Sequence, residues 1–202
     1  MRGIFDVDGP VISFIIKIFD CMCLSVLWFF CSLPIITVGA SSTALYHTIY
    51  HYIRNGEGTL LRTFFGAFRE NWKRSTLLWL VVLFIGVLLI ADVLVFRTLA
   101  IQGDGLGRLY GVVLMLCAVV LTWSSYLAAY AARFQGTVKE VLRISFLLVV
   151  VHPIRAIGVF AILAIGIFLS IINTGFLTIT PAGVCWGCSF LIEGVFAKHM
   201  QQ

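Results

Sequence analysis

Apolar residues run in long stretches along this chain, and short polar segments separate them. We distinguish six such stretches, which cover residues 14–38, 40–53, 77–96, 109–132, 144–172 and 180–196. About 20 consecutive apolar residues let an α-helix cross the hydrocarbon core of a bilayer. The pattern therefore predicts an all-α polytopic helix bundle with six spans, the second of them short, in a single membrane domain over residues 1–202.

A different pattern occupies residues 59–74, between the second and third spans. Apolar side chains recur there at every fourth position, at Leu60, Phe64, Phe68 and Trp72. The polar side is mainly basic and consists of Arg62, Arg69, Glu70, Lys73 and Arg74. This arrangement is typical of an amphipathic helix at the cytoplasmic membrane interface. The helix is either an elbow that leads into the third span or a docking surface for a partner, formed by Phe68, Arg69, Asn71 and Trp72.

The stretch LPIITVGASSTALYH, Leu33 to His47, interrupts an apolar run with a proline, a glycine and hydroxyl residues. Pro34 has no backbone N–H and ends or kinks a helix. Small residues from Gly39 onward allow close helix packing, and we expect Ser41, Ser42 or Thr43 to cap the returning helix. The stretch predicts a tight hairpin turn that is covered by protein and not exposed to lipid. Its marker residues are Pro34, Gly39, Ser41 and Thr43.

Composition supports the membrane assignment. Of the 202 residues, 61% are hydrophobic and 11% are charged, whereas a soluble domain has about 25% charged residues. Six spans leave no room for a separate water-soluble catalytic module.

The net charge of +5 is explained by the positive-inside bias of cytoplasmic loops and does not require nucleic acid. With six spans and both termini inside, only Arg97 and Arg108 of the 14 Lys and Arg residues lie outside. A five-span arrangement, with the short segment lying flat, moves Arg2 and Lys17 outside as well and fits less well. We expect a multi-pass protein of the cell membrane, in contact with lipid, with cytoplasmic N and C termini.

Polar residues inside apolar runs are the remaining candidates for chemistry. Asp92 lies within the third span, where a charge is costly and often functional. Because it is near the outer end of the span, hydration or pairing with Arg97 or Arg108 is the structural alternative. Glu193 lies nearer the inner face, within reach of Lys198, and we interpret it as structural. His47 and His51 have a spacing that suits metal ligands, but neighbouring tyrosines favour an interfacial aromatic belt.

Cys185 and Cys188 have the spacing of a redox dithiol, although cysteine is also an ordinary small apolar residue in helices. No phosphate-binding glycine loop, nucleophile elbow or paired carboxylates are present in the sequence. We therefore predict no enzyme activity and no catalytic residue. We also predict no metal, no cofactor and no ATP binding by this chain.

Four motifs in order resemble the YesL family of small polytopic membrane proteins, which is common in Gram-positive bacteria. They are FDVDGP (5–10), LPIITVGASSTALY (33–46), IRNGEG (53–58) and FFGAFRENWKR (64–74). The resemblance implies an association with carbohydrate importers of the ATP-binding-cassette (ABC) type, beside which such proteins are commonly encoded. It implies no catalytic residue, and it marks the turn at Leu33–Tyr46 as a structural signature.

Three functions remain open on the sequence alone. The first is an accessory or assembly subunit that binds the permease subunits of a sugar importer, and co-purification with those subunits would select it. The second is a stand-alone transporter or channel for a small solute, with Asp92 and the broken segments along its path. The third is a membrane thiol oxidoreductase that uses Cys185 and Cys188.

The topology can be tested with reporters. A reporter fused after Gln202 should behave as cytoplasmic, and one inserted at Gly105 should behave as external, because the six-span arrangement follows the positive-inside bias. An external signal from the C-terminal fusion would contradict the six-span topology and every assignment of a loop to one side.

Overall fold

The computed structural model of the chain describes residues 10–102, 105–172 and 179–199. Within these ranges 92% of the chain is helical and no strand is present, so the predicted all-α bundle is confirmed. The main helices are α1 (Pro10–Ser32), α2 (Val38–Thr48), α3 (Leu60–Ile101), α4 (Tyr110–Arg133), α5 (Val138–Val151), α6 (Pro153–Ile172) and α7 (Thr180–His199). A short 3₁₀ turn (Ile35–Thr37) precedes α2, a π-helical segment (Ile49–Arg54) continues it, and a second 3₁₀ turn (Gly105–Leu109) precedes α4.

Four of the described segments are long and apolar enough to cross a membrane, namely Phe14–Ser32, Leu60–Ile101, Gly107–Arg133 and Pro153–Ile172. The predicted second and sixth spans fall on shorter helical segments. Residues 40–53 lie in α2 and its π-helical continuation, and Thr180–Phe196 is an apolar stretch of α7. The structure thus indicates a membrane protein, and the count of six spans stays a prediction.

The predicted separation between an interfacial helix (59–74) and a third span (77–96) is wrong. Residues 60–101 form one continuous helix of 42 residues, about 63 Å long at 1.5 Å per residue. The side chains of this helix change from charged to apolar near Ser75. No proline or glycine lies at that point to interrupt the helix, so the backbone hydrogen bonds continue through it.

The predicted fifth span over residues 144–172 is divided in two. Helix α5 ends at Val151 and α6 begins at Pro153, because proline has no N–H to continue the hydrogen bonds of α5. Helix α5 begins with a capping box. The Thr137 hydroxyl accepts from the Glu140 N–H, and the Glu140 carboxylate accepts from the Thr137 N–H at 2.8 Å. These bonds to Thr137 lower the pKa of the Glu140 carboxyl because they stabilise its ionised form.

The least apolar of the helices is the most buried. Helix α2 packs against α1, α3, α4 and α7, and most of its side chains are buried, among them Ala40, Ser41, Thr43, Ala44, Leu45, Tyr46 and Thr48. It packs most extensively on α3, where Phe64 and Ala67 of the charged half lie in the same cluster as Ala44 of α2 and Ile49 of the π-helical continuation. The apolar stripe predicted to rest on lipid is therefore partly used inside the protein.

Gly39 is the point at which α2 and α3 come closest. A Cβ atom built on Gly39 would overlap the Cβ of Trp79 and would lie 2.6 Å from the Ser75 carbonyl oxygen. The Trp79 indole N–H donates to the Ile35 carbonyl oxygen at 2.8 Å and holds the turn before α2 against α3. Only glycine permits this backbone approach.

The hydroxyl residues of the turn do not cap α2 as expected. The helix begins at Val38, because the 3₁₀ turn starts the chain reversal earlier, so Ser41, Ser42 and Thr43 lie within it. The Thr43 hydroxyl donates to the Gly39 carbonyl oxygen at 2.8 Å, and the hydroxyls of Ser41 and Ser32 lie 2.6 Å apart. The sequence predicts that other parts of the protein cover this hairpin turn. At the tip of the turn they do so only in part, since Leu33, Ile35 and Ile36 are more than half exposed.

Substitution of Gly39 tests this contact. Gly39→Ala should destabilise the protein by about 1–3 kcal/mol, because the added methyl group overfills a close helix contact. Gly66→Ala is the matched control on α3, because nothing lies within 4 Å of its Cβ position. There the change should be neutral or stabilise the helix by up to about 1 kcal/mol. Thermal unfolding in mild detergent measures both, and equal melting temperatures would contradict the close approach.

Candidate functional site

A partly buried ion pair joins the C-terminal part of α7 to the end of α4. The Arg133 guanidinium donates to Glu193 Oε2, and the Tyr46 hydroxyl donates to Glu193 Oε1 at 3.1 Å. The side chains of Arg133 and Glu193 are only 19% and 12% exposed. Charges this far from solvent need both a partner and further hydrogen bonds, and Tyr46 supplies one of them. We call these three residues the Glu193 network.

Aromatic rings and a second arginine surround this network. The Arg133 guanidinium lies 4.1 Å from the centre of the Tyr50 ring. Arg54 lies 4.7 Å from the centre of the Phe190 ring and donates to the Ser189 carbonyl oxygen at 3.1 Å. Both Tyr50 and Arg54 belong to the π-helical segment, a geometry that is frequent at functional sites. The segment thus aims an aromatic ring and a cation at α4 and α7.

An apolar cavity of about 550 Å³ lies on one side of the network. Side chains from α1, α2, α3, α4, α6 and α7 line it, including Trp28, Tyr46, Ser75, Ser124, Gly166 and Cys188. No charged side chain is among the described residues that line it. We refer to it as the apolar cavity.

A polar cavity of about 490 Å³ lies on the other side. Its walls include His47, His51, Glu57, Glu70 and Arg133. The rings of His47 and His51 are 4.4 Å apart between centres, and the Nδ1 atom of His51 lies 2.9 Å from Glu57 Oε2. Within the ranges that the structure describes, no group of three or more His, Cys, Asp or Glu residues is arranged to hold a metal ion.

The Glu193 network lies between the two cavities. Tyr46 lines the apolar cavity, Arg133 lines the polar one, and Ala131 lines both. Because Glu193 binds Tyr46 and Arg133 at once, it links the two walls. The arrangement does not by itself make or break covalent bonds, but it can keep the apolar cavity and the polar cavity apart.

The four predicted docking residues do not share one exposed face. Arg69 is exposed and Trp72 is 49% exposed. Phe68 is partly buried and packs against the apolar cluster that contains Ala44 and Ile49. The Asn71 amide donates to the Ala67 carbonyl oxygen at 3.2 Å and also lines the polar cavity. Arg69 and Trp72 are therefore the pair that is free to meet a partner.

The other predicted site residues lie away from the network. Asp92 is exposed on α3, and within the described part of the chain no ion pair involves it. The turn residues Pro34, Gly39, Ser41 and Thr43 fold and pack the α1–α2 hairpin. Cys185 and Cys188 are free thiols that both line the apolar cavity.

The pairing of Glu193 with Arg133 is absent from the sequence predictions. Glu193 is expected there to meet Lys198, whose side chain lies outside the described residues, and the structure pairs it with Arg133 instead. One signal was present in the sequence. Arg133 ends the fourth apolar run and Glu193 lies near the end of the sixth, so both occur at the same predicted membrane face.

Comparison with known families gives a match for one part of the chain. A family model described as a protein of unknown function, DUF624, a family of membrane-associated proteins, matches residues 21–93. The match covers the second half of α1, all of α2 and most of α3, and so includes the contact at Gly39. No curated protein and no solved structure matches the chain.

The energetics of the Glu193 network can be measured with single and double variants. Glu193→Gln should destabilise the protein by about 3–5 kcal/mol, because it leaves the Arg133 charge buried without its partner. Glu193→Gln combined with Arg133→Gln should recover a large part of that loss. The exposed pair His51–Glu57 is the control, and Glu57→Gln should cost less than about 1 kcal/mol. Thermal unfolding in mild detergent measures all of them, and a double variant with the two single losses fully added would contradict the coupling.

Proposed function

We propose that this chain is an accessory or assembly subunit of a carbohydrate importer of the ABC type and carries out no catalysis of its own. It works as a multi-pass protein of the cell membrane with both termini in the cytoplasm, and its partners are the permease subunits. Two things support the proposal, namely the resemblance of four motifs to the YesL family and the surface of the charged half of α3.

The charged half of α3 is the observation that carries the proposal. Helix α3 is about 63 Å long, whereas the hydrocarbon core of a bilayer is about 30 Å thick. Its apolar residues 77–96 suffice to cross that core. Residues 60–74 carry exposed charges, including Arg62, Arg69 and Lys73, and such side chains are costly in hydrocarbon. This half of α3 therefore belongs in the interface, in water or against another protein.

Its exposed face favours a protein partner over lipid. A helix that rests on a membrane turns its whole apolar stripe toward the acyl chains. Here Phe64 and Ala67 are buried inside the chain. The apolar side chains that remain, Leu61, Phe65 and Trp72, are about half exposed and stand among the basic ones. Mixed aromatic and arginine surfaces of this kind dominate the energetics of protein interfaces.

A second candidate function, a small-solute transporter or channel, is favoured by the two cavities. They lie on opposite sides of the Glu193 network, as the two halves of a solute path closed by a gate would lie. Solute-dependent flux in liposomes that contain only this protein would select this function over the accessory subunit.

Loss of the docking surface is the decisive test of the accessory function. Arg69→Ala combined with Trp72→Ala should abolish recovery of the permease subunits from native membranes, because it removes the guanidinium and the indole that are free to meet a partner. Affinity purification in mild detergent, followed by mass spectrometry of the recovered proteins, makes the measurement. Expression and membrane insertion should remain normal, since both side chains are largely outside the packed core.

The matched control is Leu61→Ala combined with Arg62→Ala. It removes an apolar and a basic residue from the same helix, two turns closer to its N terminus, and should lower recovery less. Unchanged recovery in the Arg69/Trp72 variant would rule out this surface as the docking site and would leave residues 60–74 as an elbow.

A further inference from the structure

The apolar cavity is too large to be a packing defect. Protein interiors contain few voids larger than a water molecule, and this space measures about 550 Å³. Pockets that bind small molecules measure roughly 300–1,000 Å³. This space between six helices is therefore large enough to be a binding pocket for a small molecule.

The polar side chains in its wall are neutral and carry hydroxyl, indole N–H or thiol groups, and several of them have partners within the chain. The Ser42 hydroxyl accepts from the Trp28 indole at 3.1 Å. The hydroxyls of Ser124 and Ser170 donate to carbonyl oxygens of their own helices, at 2.7 and 3.0 Å. These groups make the wall neutral and leave little capacity for a strongly polar ligand.

Ser75 differs from these groups. Its side chain is buried, with 2% of its surface exposed, it lines the apolar cavity, and its hydroxyl has no hydrogen-bond partner among the described residues. A buried hydroxyl without a partner carries a desolvation cost of about 1–3 kcal/mol. An acceptor atom on a ligand in the cavity would remove that cost.

The opening of the cavity points to the bilayer as the source of the ligand. Three of the residues that line it are exposed, Leu121, Ile167 and Ile171, and all three are apolar. They belong to α4 and α6, each of which falls in a segment that is long and apolar enough to cross a membrane. A molecule that enters between these side chains comes from the hydrocarbon region.

We infer that the apolar cavity binds an uncharged membrane lipid that carries a hydroxyl or ester group, with one acyl chain in the cavity and the polar group at Ser75. A charged headgroup is disfavoured because the described wall contains no charge to pair with it. Lipid chains are already in an apolar medium, so burial alone gives little selectivity. Selectivity comes from the hydrogen bond to Ser75 and from shape. The inference does not depend on the proposed accessory function.

Photolabelling tests the inference. The full chain is reconstituted in phosphatidylcholine vesicles with a trace of diacylglycerol that carries a photoreactive group in one acyl chain. A parallel sample contains phosphatidylglycerol with the same chain. Mass spectrometry of peptides from residues 121–131 and 180–192 then measures labelling of the cavity wall. Diacylglycerol should label these peptides strongly, and phosphatidylglycerol should label them weakly.

Two variants and one control sharpen the test. Ala128→Trp fills the cavity and should reduce labelling by roughly tenfold or more. Ser75→Ala should reduce it roughly three- to tenfold, which is the effect of one hydrogen bond. Thr76→Val is the control, because Thr76 is also buried and without a hydrogen-bond partner but does not line the cavity. Labelling of this variant should match that of the wild type.

Three results would overturn the inference. They are cavity labelling that persists in Ala128→Trp, equal labelling by the two lipids, and equal effects of Ser75→Ala and Thr76→Val. If Ala128→Trp fails to fold, the comparison of Ser75→Ala with Thr76→Val decides alone, because each removes one hydroxyl from the same helix.

Discussion

The close approach of α2 to α3 at Gly39 is the constraint on which the rest of the structure depends. A helix that is rich in small and hydroxyl residues has little apolar surface to bury, so it gains stability from backbone proximity and from hydrogen bonds. The missing side chain at Gly39 allows α3 to approach at Ser75 and Trp79. The hydroxyls of Ser41 and Thr43 then find acceptors in the turn and in α2 itself. With its hydroxyl groups hydrogen-bonded, α2 can occupy the centre of an otherwise apolar bundle.

The position of α2 also determines where the Glu193 network forms. Tyr46 lies on α2, and Tyr50 and Arg54 lie on its π-helical continuation, so the central helix delivers these side chains to α4 and α7. A buried carboxylate and guanidinium are tolerable there because each has a partner and the tyrosines complete their surroundings. The network also contributes to both cavities, since Tyr46 lines the apolar one and Arg133 lines the polar one.

The proposed docking surface and the proposed lipid site use opposite parts of α3. Its charged half turns Arg69 and Trp72 outward, while Ser75, at the point where the apolar half begins, faces inward to the apolar cavity. Both places belong to one continuous helix of 42 residues. A partner bound to the charged half would therefore act on an element that also forms a wall of the cavity.

The sequence by itself determined the class of the protein and most of its helices. Apolar runs of about 20 residues form helices in a bilayer, because each backbone polar group must find its partner within the segment. The sequence did not reveal that α3 continues across residues 74–77. A change from charged to apolar side chains looks like the boundary between two helices, although here the backbone stays helical.

Only the tertiary structure decided which partners meet across the bundle. Glu193 pairs with Arg133, 60 residues away in the chain, and Ser75 faces a cavity whose walls come from six helices. Local periodicity indicates which face of a helix is apolar, but it holds no information about the neighbour that this face will meet. That neighbour depends on the crossing of distant helices, and here the crossing is set by the close contact at Gly39.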